Sequence, residues 1–201
     1  MTMTEASPVK DPDQRVRLHG VTWEQYERIL EIRGESSAVR ISYLDGELEL
    51  MSPSIDHERI KKFIARLLEA WCEECGPDLN GYGSWTVKEK AKRCGLEPDE
   101  CYIVGIERKE RPDIAIEVIW THGGLGKLEI YQKLGVPEVW NWEDGSITVF
   151  VLEGETYERK ARSELLPHCD LDAICRFADR ENQTQAVRDF RAELRRKGHG
   201  E

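Results

Sequence analysis

Two β-rich runs that flank one charged turn constrain the fold of this chain more than any other feature. The runs are DECYIVGI (99–106) and DIAIEVIW (113–120), each starts just after a proline, and the turn between them reads ERKER. Isoleucine, valine and aromatic residues favour strands, so the segment predicts an antiparallel hairpin centred near residue 108. In such a hairpin, residues whose numbers sum to about 216 face each other.

Asp99 and Glu117 satisfy this sum, so their side chains are predicted to lie opposite each other. Opposed residues on one sheet face have Cβ atoms roughly 4.5–5.5 Å apart, a separation at which two carboxylates repel. A bound cation would reverse the sign of that interaction, and hard oxygen ligands suit Mg²⁺ or Mn²⁺. Asp113 lies on the same strand as Glu117 but about 13 Å away along it, so we interpret Asp113 as a turn or cap residue that opens the strand.

The rest of the chain alternates between helical and strand patterns. Asp45-Gly46 between two alternating runs predicts a hairpin, and Thr22, with Ser54 or Asp56, is a candidate helix N-cap. We therefore expect one α/β domain built on a mixed sheet over residues 15–180, after a disordered lead-in (1–14) and before a C-terminal helix and tail (181–201). The other predicted elements are helices at 21–32, 52–76, 127–135 and 183–197 and strands at 84–91, 138–143, 146–153 and 156–161.

Composition narrows the functions open to the chain. A net charge of -10 argues against a protein that coats nucleic acid through electrostatics alone. The sequence has no apolar run near the ~20 residues that span a bilayer and no secretory signal, so we expect a cytoplasmic protein without a membrane partner. The six cysteines are expected to be reduced. The spacing of Cys94 and Cys101 is too wide for a zinc ribbon, which makes a zinc-stabilised interaction domain the weakest alternative.

A glycine-rich segment, THGGLGKLEIY, leads into Lys127 and resembles a phosphate-binding loop at first sight. That motif requires glycine five residues before its final glycine, and a hydroxyl residue directly after its lysine. The chain has Thr121 and Leu128 at these two positions. The residues that the motif requires are absent at both positions, so the sequence does not support a nucleotide-binding site.

The arrangement of a Pro-Asp strand, a turn and a strand bearing Glu resembles the PD-(D/E)XK restriction-endonuclease-like superfamily. Within it, the runs PDIAIEVIWTHGGLGKLEIYQKLGVPEVW and YLDGELELMSPSIDHERI are similar to the Uma-two family of bacterial endonucleases. The likeness covers about residues 21–175. It implies a mixed β-sheet core flanked by helices, with an N-terminal β-hairpin and a C-terminal helix, and a Mg²⁺- or Mn²⁺-dependent endonuclease that hydrolyses DNA.

The resemblance also implies roles for individual residues. The superfamily's lysine two residues after the acid is replaced here by Ile119, and Lys127 fits the place of a lysine displaced onto the following helix. Asp99, Glu117 and the Val118 carbonyl would hold the metal, and Lys127 would stabilise the transition state. Two further residues match positions where the family carries polar site residues, Glu47 and His57.

Each of these residues also has a plainer interpretation. Glu47 is equally well a surface residue of its hairpin, His57 a polar residue in the first turn of its helix, and Lys127 a solvated lysine. Two basic clusters are candidate phosphate contacts or simply solvated faces: Arg108, Lys109 and Arg111, or Lys88, Lys90, Lys92 and Arg93. A nuclease-fold binding or regulatory module without turnover is therefore the main alternative to a nuclease. A homodimer is a further open expectation.

Overall fold

The computed structural model describes residues 11–36, 38–83 and 85–198. Within these ranges the chain forms strands and helices in a mixed order. The strands are β1 (Gln14–Leu18), β2 (Arg40–Leu44), β3 (Glu47–Ser52), β4 (Leu79–Gly81), β5 (Val87–Glu89), β6 (Cys94–Leu96), β7 (Glu100–Val104), β8 (Ile114–Val118), β9 (Glu138–Glu143), β10 (Ser146–Glu153) and β11 (Thr156–Lys160). The helices are α1 (Trp23–Arg33), α2 (Ile55–Cys75), α3 (Lys127–Leu134), α4 (Leu171–Ala178) and α5 (Gln183–Gly198).

The larger sheet has six strands in the order β11-β10-β9-β8-β7-β4. Strands β8 and β9 are parallel and are connected through α3, whereas the other neighbours are antiparallel. The carboxyl ends of parallel strands meet at one edge of a sheet. The residues that follow Val118 and Trp142 therefore lie side by side, and the candidate site described below lies at this edge.

The smaller sheet has five antiparallel strands in the order β1-β3-β2-β6-β5. The predicted hairpin is its centre, with Asp45 and Gly46 both at positive φ (47° and 101°) in the tight turn that such a connection needs. Strand β1 adds to the open side of β3 and places Arg15 and Arg17 beside Glu49. Helix α1, capped by Thr22, packs on the far face of this sheet.

Three apolar clusters hold the layers together. Helix α2 covers β8 on one face of the larger sheet, α4 packs on β10 beside it, and α5 packs on α2 and α4, so that Ile114, Ile116 and Val118 of β8 lie in one apolar cluster with these helices. Helix α3 and strands β5 and β6 of the smaller sheet cover the other face, where Ala115 and Val139 lie. Because successive strand residues point to opposite faces, Glu117 points with Ala115 towards α3 and the smaller sheet.

Most predicted elements agree with the structure, including the Ser54 cap and the Gly76 end of α2. Of the predicted lead-in (1–14), residues 1–10 lie outside the described residues, while Asp13 is buried and β1 already begins at Gln14. The sequence also missed the short strands β4 and β6 and helix α4. None of the helices in the described ranges is long and apolar enough to cross a membrane.

Candidate active site

The two carboxylates lie where the hairpin register predicts. Strands β7 and β8 pair Glu100 with Ile116 and Cys101 with Ala115, so each pair sums to 216 and the next step places Asp99 opposite Glu117. Both side chains are almost fully buried, with exposed fractions of 1% for Asp99 and 4% for Glu117. The register predicted from the sequence is therefore confirmed, and two acidic groups share one buried sheet face.

Glu117 is held by two donors from the first turns of α3. The Lys127 ammonium lies 2.5 Å from Oε2, and the Tyr131 hydroxyl donates to Oε1. Burial raises the pKa of Glu117 to about 7, although Lys127 opposes that effect. Burial alone would lower the pKa of Lys127, but the charges on Glu117 and Asp99 outweigh it and raise the pKa. Lys127 is thus a fixed cation in the site, and the solvated interpretation of this lysine is wrong.

His57 connects Asp99 to the N-terminal segment. Its Nε2 lies 3.0 Å from Asp99 Oδ2, and its Nδ1 lies 3.2 Å from Asp13 Oδ2. Burial alone would lower the pKa of His57, but the hydrogen bond to Asp13 and the ion pair with Asp99 outweigh burial and raise this pKa to about 9. His57 is completely buried, so it contacts the carboxylate rather than anything that enters from solvent. The structure makes it a positioning residue for Asp99.

Asp99 keeps one oxygen without a hydrogen bond. Its Oδ2 accepts the Val118 N–H at 2.9 Å in addition to the His57 contact. Its Oδ1 is buried and accepts no hydrogen bond among the described residues, with Arg40 Nε 3.9 Å away. Burial would raise the pKa of Asp99, but Lys127, His57 and the Val118 N–H together lower it, so the carboxylate stays ionised.

This donor set fits a divalent cation. An ionised, buried Asp99 oxygen without a hydrogen bond, the opposed Glu117 and the adjacent Val118 carbonyl are all hard oxygen ligands of the kind that Mg²⁺ and Mn²⁺ prefer. Within the described ranges, no group of three or more His, Cys, Asp or Glu side chains is placed so that it could hold a metal ion. A metal here would therefore depend on two carboxylates and a backbone carbonyl.

Three charged residues of the smaller sheet hold the glycine loop that leads to Lys127. Arg15 donates to the carbonyl oxygen of Thr121 at 2.8 Å, and Arg17 donates to that of Gly123 at 2.6 Å. Glu49 accepts the Leu125 N–H at 3.0 Å and pairs with Arg17 at 3.2 Å. The loop is thus fixed from across the cleft, which explains how a lysine ten residues after Glu117 reaches back to it.

These contacts enclose a cavity of about 270 Å³ between the larger sheet, α3 and the smaller sheet. Arg15, Glu49, Glu117, Lys127 and Tyr131 line it, together with the glycine loop. Sequence reasoning missed Arg15, Glu49 and Tyr131. Arg15 and Glu49 lie in strands of the smaller sheet with other charged residues around them, and Tyr131 has the spacing of an ordinary core residue on α3.

Glu47 does not belong to this site. It begins β3 beside the turn, its side chain is 42% exposed, and it pairs at 2.6 Å with the exposed His19. Glu49 lies two residues further along the same strand face and is 2% exposed. Glu47 therefore lies outside the cavity that Glu117 and Lys127 line, and its exposed ion pair agrees with the interpretation of a hairpin surface residue.

The proposed nucleic-acid contacts also lie elsewhere. Arg108, Lys109 and Arg111 occupy the turn between β7 and β8, at the opposite end of these strands from Asp99 and Glu117. Lys109 lies 2.7 Å from Asp113, and Arg111 donates to the Leu134 carbonyl at 2.8 Å. Two of the three cations thus stabilise the fold. Asp113 also accepts the Val104 N–H at 2.9 Å, as expected of a residue that opens a strand.

Comparisons with known proteins identify the family. The model of a family described as Uma2, putative restriction endonuclease, matches residues 23–173. Among solved structures, the chain is similar to a putative nuclease of DUF820 from Anabaena variabilis, with 15% identity and a TM-score of 0.52 over 75% of this chain and 98% of that chain. None of the curated proteins matches. The predicted fold class, a mixed sheet core flanked by helices, is confirmed.

Proposed function

Because the chain belongs to the Uma2 family of putative restriction endonucleases, we propose that it is a metal-dependent endonuclease that hydrolyses DNA phosphodiester bonds. The observation that carries the proposal is the buried pair Asp99 and Glu117 with Lys127 fixed 2.5 Å from Glu117. Two acids and a cation at one sheet edge match the chemistry of phosphate hydrolysis.

Asp99, Glu117 and the Val118 carbonyl would hold Mg²⁺ or Mn²⁺. Such an ion makes water more acidic and offsets negative charge on a phosphate. His57 and the Val118 N–H orient Asp99 and keep it ionised, which leaves Oδ1 available. These are contacts of the protein itself and do not depend on the substrate.

Lys127 would act on the phosphate. It retains its positive charge because Glu117 and Asp99 raise its pKa, and it lines the cavity through which a phosphate would enter. A fixed ammonium donates hydrogen bonds to phosphate oxygens where negative charge develops in the transition state. Tyr131 donates to the other oxygen of Glu117 and so fixes the orientation of this carboxylate beside Lys127.

One observation favours a second candidate function. Both oxygens of Glu117 already have donors, Lys127 and Tyr131. A binding or regulatory module that keeps this fold without turnover would tolerate this arrangement. This candidate requires that no divalent ion displaces the lysine from Glu117.

Conversion of supercoiled plasmid to nicked or linear DNA tests the proposal. We expect cleavage that a chelator stops and that added Mg²⁺ or Mn²⁺ restores. Asp99→Asn should abolish it, whereas Asp113→Asn, the other Pro-Asp position, should remain active because it lies at the far end of the strand. Equal cleavage by Asp99→Asn and the wild type would refute the nuclease site. Plasmid binding without cleavage in either ion would favour the binding module.

A further inference from the structure

Asp13 is a buried acid that does not line the cavity of the candidate site. It lies in the segment before β1, ahead of the residues 23–173 that the family model matches. Its side chain is fully buried, and a buried carboxylate is costly unless other groups bind it. Burial alone would raise the pKa of Asp13, but hydrogen bonds from His57 and the Ser54 N–H outweigh burial and lower it. The segment before β1 therefore buries an ionised carboxylate behind the site.

Four polar groups from separate segments converge on this carboxylate. Its Oδ1 accepts the Ser54 N–H at 2.9 Å. Its Oδ2 lies 3.2 Å from His57 Nδ1, accepts the Thr121 hydroxyl at 3.2 Å and pairs with Arg15 at 3.3 Å. Asp13 therefore joins the start of α2, the loop after β8 and strand β1 at one point.

The contacts lead from Asp13 to Asp99 through one imidazole ring. His57 Nε2, across the ring from Nδ1, lies 3.0 Å from Asp99 Oδ2. The partner of one ring nitrogen fixes the orientation of the ring and so the direction in which the other nitrogen points. Asp99 Oδ2 also accepts the Val118 N–H at 2.9 Å, and Oδ1 accepts no hydrogen bond among the described residues. Asp13 thus helps to determine which oxygen of Asp99 is left over.

Stability alone does not account for this chain of charges. The Ser54 side chain already caps α2 by accepting the His57 N–H at 3.2 Å, so the helix does not need Asp13 as its cap. Apolar residues of similar volume often stabilise a fold as well as a buried ion pair does. A buried row of acid, imidazole and acid is better suited to orienting Asp99 than to anchoring the segment before β1.

We propose that Asp13 is a positioning residue of the nuclease site, which acts through His57 to hold Asp99 in the orientation that leaves Oδ1 available to the metal. The inference rests on the proposed nuclease function. It extends the active unit to the segment before β1, beyond the residues that the family model matches. The loss of a group that orients a metal ligand from outside costs roughly 10- to 100-fold in metal affinity or activity.

Amide hydrogen exchange of the metal-free protein, followed by NMR, tests this inference without metal or DNA. The Val118 N–H reports on Asp99, because it donates to Asp99 Oδ2. The amide of Ile116, in the paired part of β8, is the internal reference. In Asp13→Ala the ratio of the Val118 rate to the Ile116 rate should rise about tenfold or more, because the hydrogen bond to Asp99 is loosened. All samples contain trimethylamine N-oxide, an osmolyte that favours compact states, so that the lost contacts do not unfold the variant.

Two further variants separate positioning from stability. The control Asp113→Ala removes another buried aspartate that accepts a backbone N–H at 2.9 Å, at the far end of β8, and should not raise the exchange ratio. His57→Ala should raise the ratio by itself. In that background the additional change Asp13→Ala should raise it by no more than about twofold, because two residues that act through one contact are not additive.

A wild-type exchange ratio in Asp13→Ala would overturn the inference, and so would a full tenfold rise from Asp13→Ala in the His57→Ala background. The plasmid assay separates this result from the nuclease proposal. Asp13→Ala should cleave roughly 10- to 100-fold more slowly than the wild type, whereas Asp113→Ala should cleave at nearly the wild-type rate. An exchange effect without cleavage by the wild type would contradict the nuclease alone. Cleavage by Asp13→Ala at the wild-type rate would contradict the role of Asp13 alone.

Discussion

Replacement of His57 should produce a pH-dependent loss of stability whose size follows from its surroundings. His57 is fully buried between Asp13 and Asp99, and these contacts raise its pKa to about 9 from an ordinary value of 6.5. The folded protein therefore holds a proton that the unfolded chain gives up above pH 6.5. The stabilisation is complete below pH 6.5 and is lost as the pH rises through 9.

The magnitude follows from the size of this shift. A difference of about 2.5 pKa units at roughly 1.4 kcal/mol per unit corresponds to about 3 kcal/mol. The free energy of unfolding of His57→Gln should therefore fall below that of the wild type by about 3 kcal/mol more at pH 6 than at pH 9.5. Groups that do not contact His57 titrate alike in both proteins and cancel in this difference.

Urea unfolding with chelator and a reductant, at several pH values, measures the effect. Chelator is needed because a metal at Asp99 would alter the pKa of its histidine partner. His19→Gln is the control for the substitution itself, because His19 is exposed and lies outside the buried cluster, and it should change the free energy of unfolding by no more than ~0.5 kcal/mol. A constant difference between wild type and His57→Gln from pH 6 to 9.5 would refute the assignment of a charged His57.

Three further variants test other parts of the site. Lys127→Ala should lower the rate of plasmid cleavage ~10²–10³-fold, the cost of one preorganised transition-state donor. The control Lys109→Ala removes another lysine that is paired with a carboxylate and should cleave at nearly the wild-type rate. Equal cleavage rates of Lys127→Ala and the wild type would contradict the role of Lys127. Tyr131→Phe should lower the free energy of unfolding of the metal-free protein by about 2 kcal/mol, measured in urea at pH 8, where Glu117 is charged. The reason is the loss of a hydrogen bond to a charged group. An unchanged midpoint of urea unfolding would contradict that hydrogen bond. Glu49→Ala should speed amide hydrogen exchange of the glycine loop by about tenfold or more, because the hydrogen bond from the Leu125 N–H to Glu49 is lost. Unchanged protection of these amides would mean that other contacts hold the loop.

The position of the two carboxylates could be predicted from the sequence because a hairpin has a fixed register. Once the turn was centred near residue 108, simple pairing placed Asp99 opposite Glu117, and the structure has that register. Lys127 could not be derived from strand geometry, since it depends on the path of a glycine loop. It was found only through the family resemblance.

The residues that were missed depend on contacts between distant segments. Asp13 and Arg15 lie in a charged stretch without periodicity, and only the pairing of β1 with β3 brings them to the site. Glu47 and Glu49 share one strand face, so alternation could not separate them. What separates them is the glycine loop, which covers Glu49 and leaves Glu47 exposed. Strands of three residues such as β4 and β6 are too short for any periodic signal.

Calorimetric titration with Mn²⁺ tests the central claim most directly, because it asks whether Asp99 and Glu117 share one metal without requiring any substrate. The wild type and Asp113→Asn should bind one equivalent alike, since Asp113 is occupied by Lys109 and the Val104 N–H. Asp99→Asn and Glu117→Gln should each bind at least about tenfold more weakly, as expected when a ligand is lost. Equal affinity of all four proteins for Mn²⁺ would contradict the shared metal site.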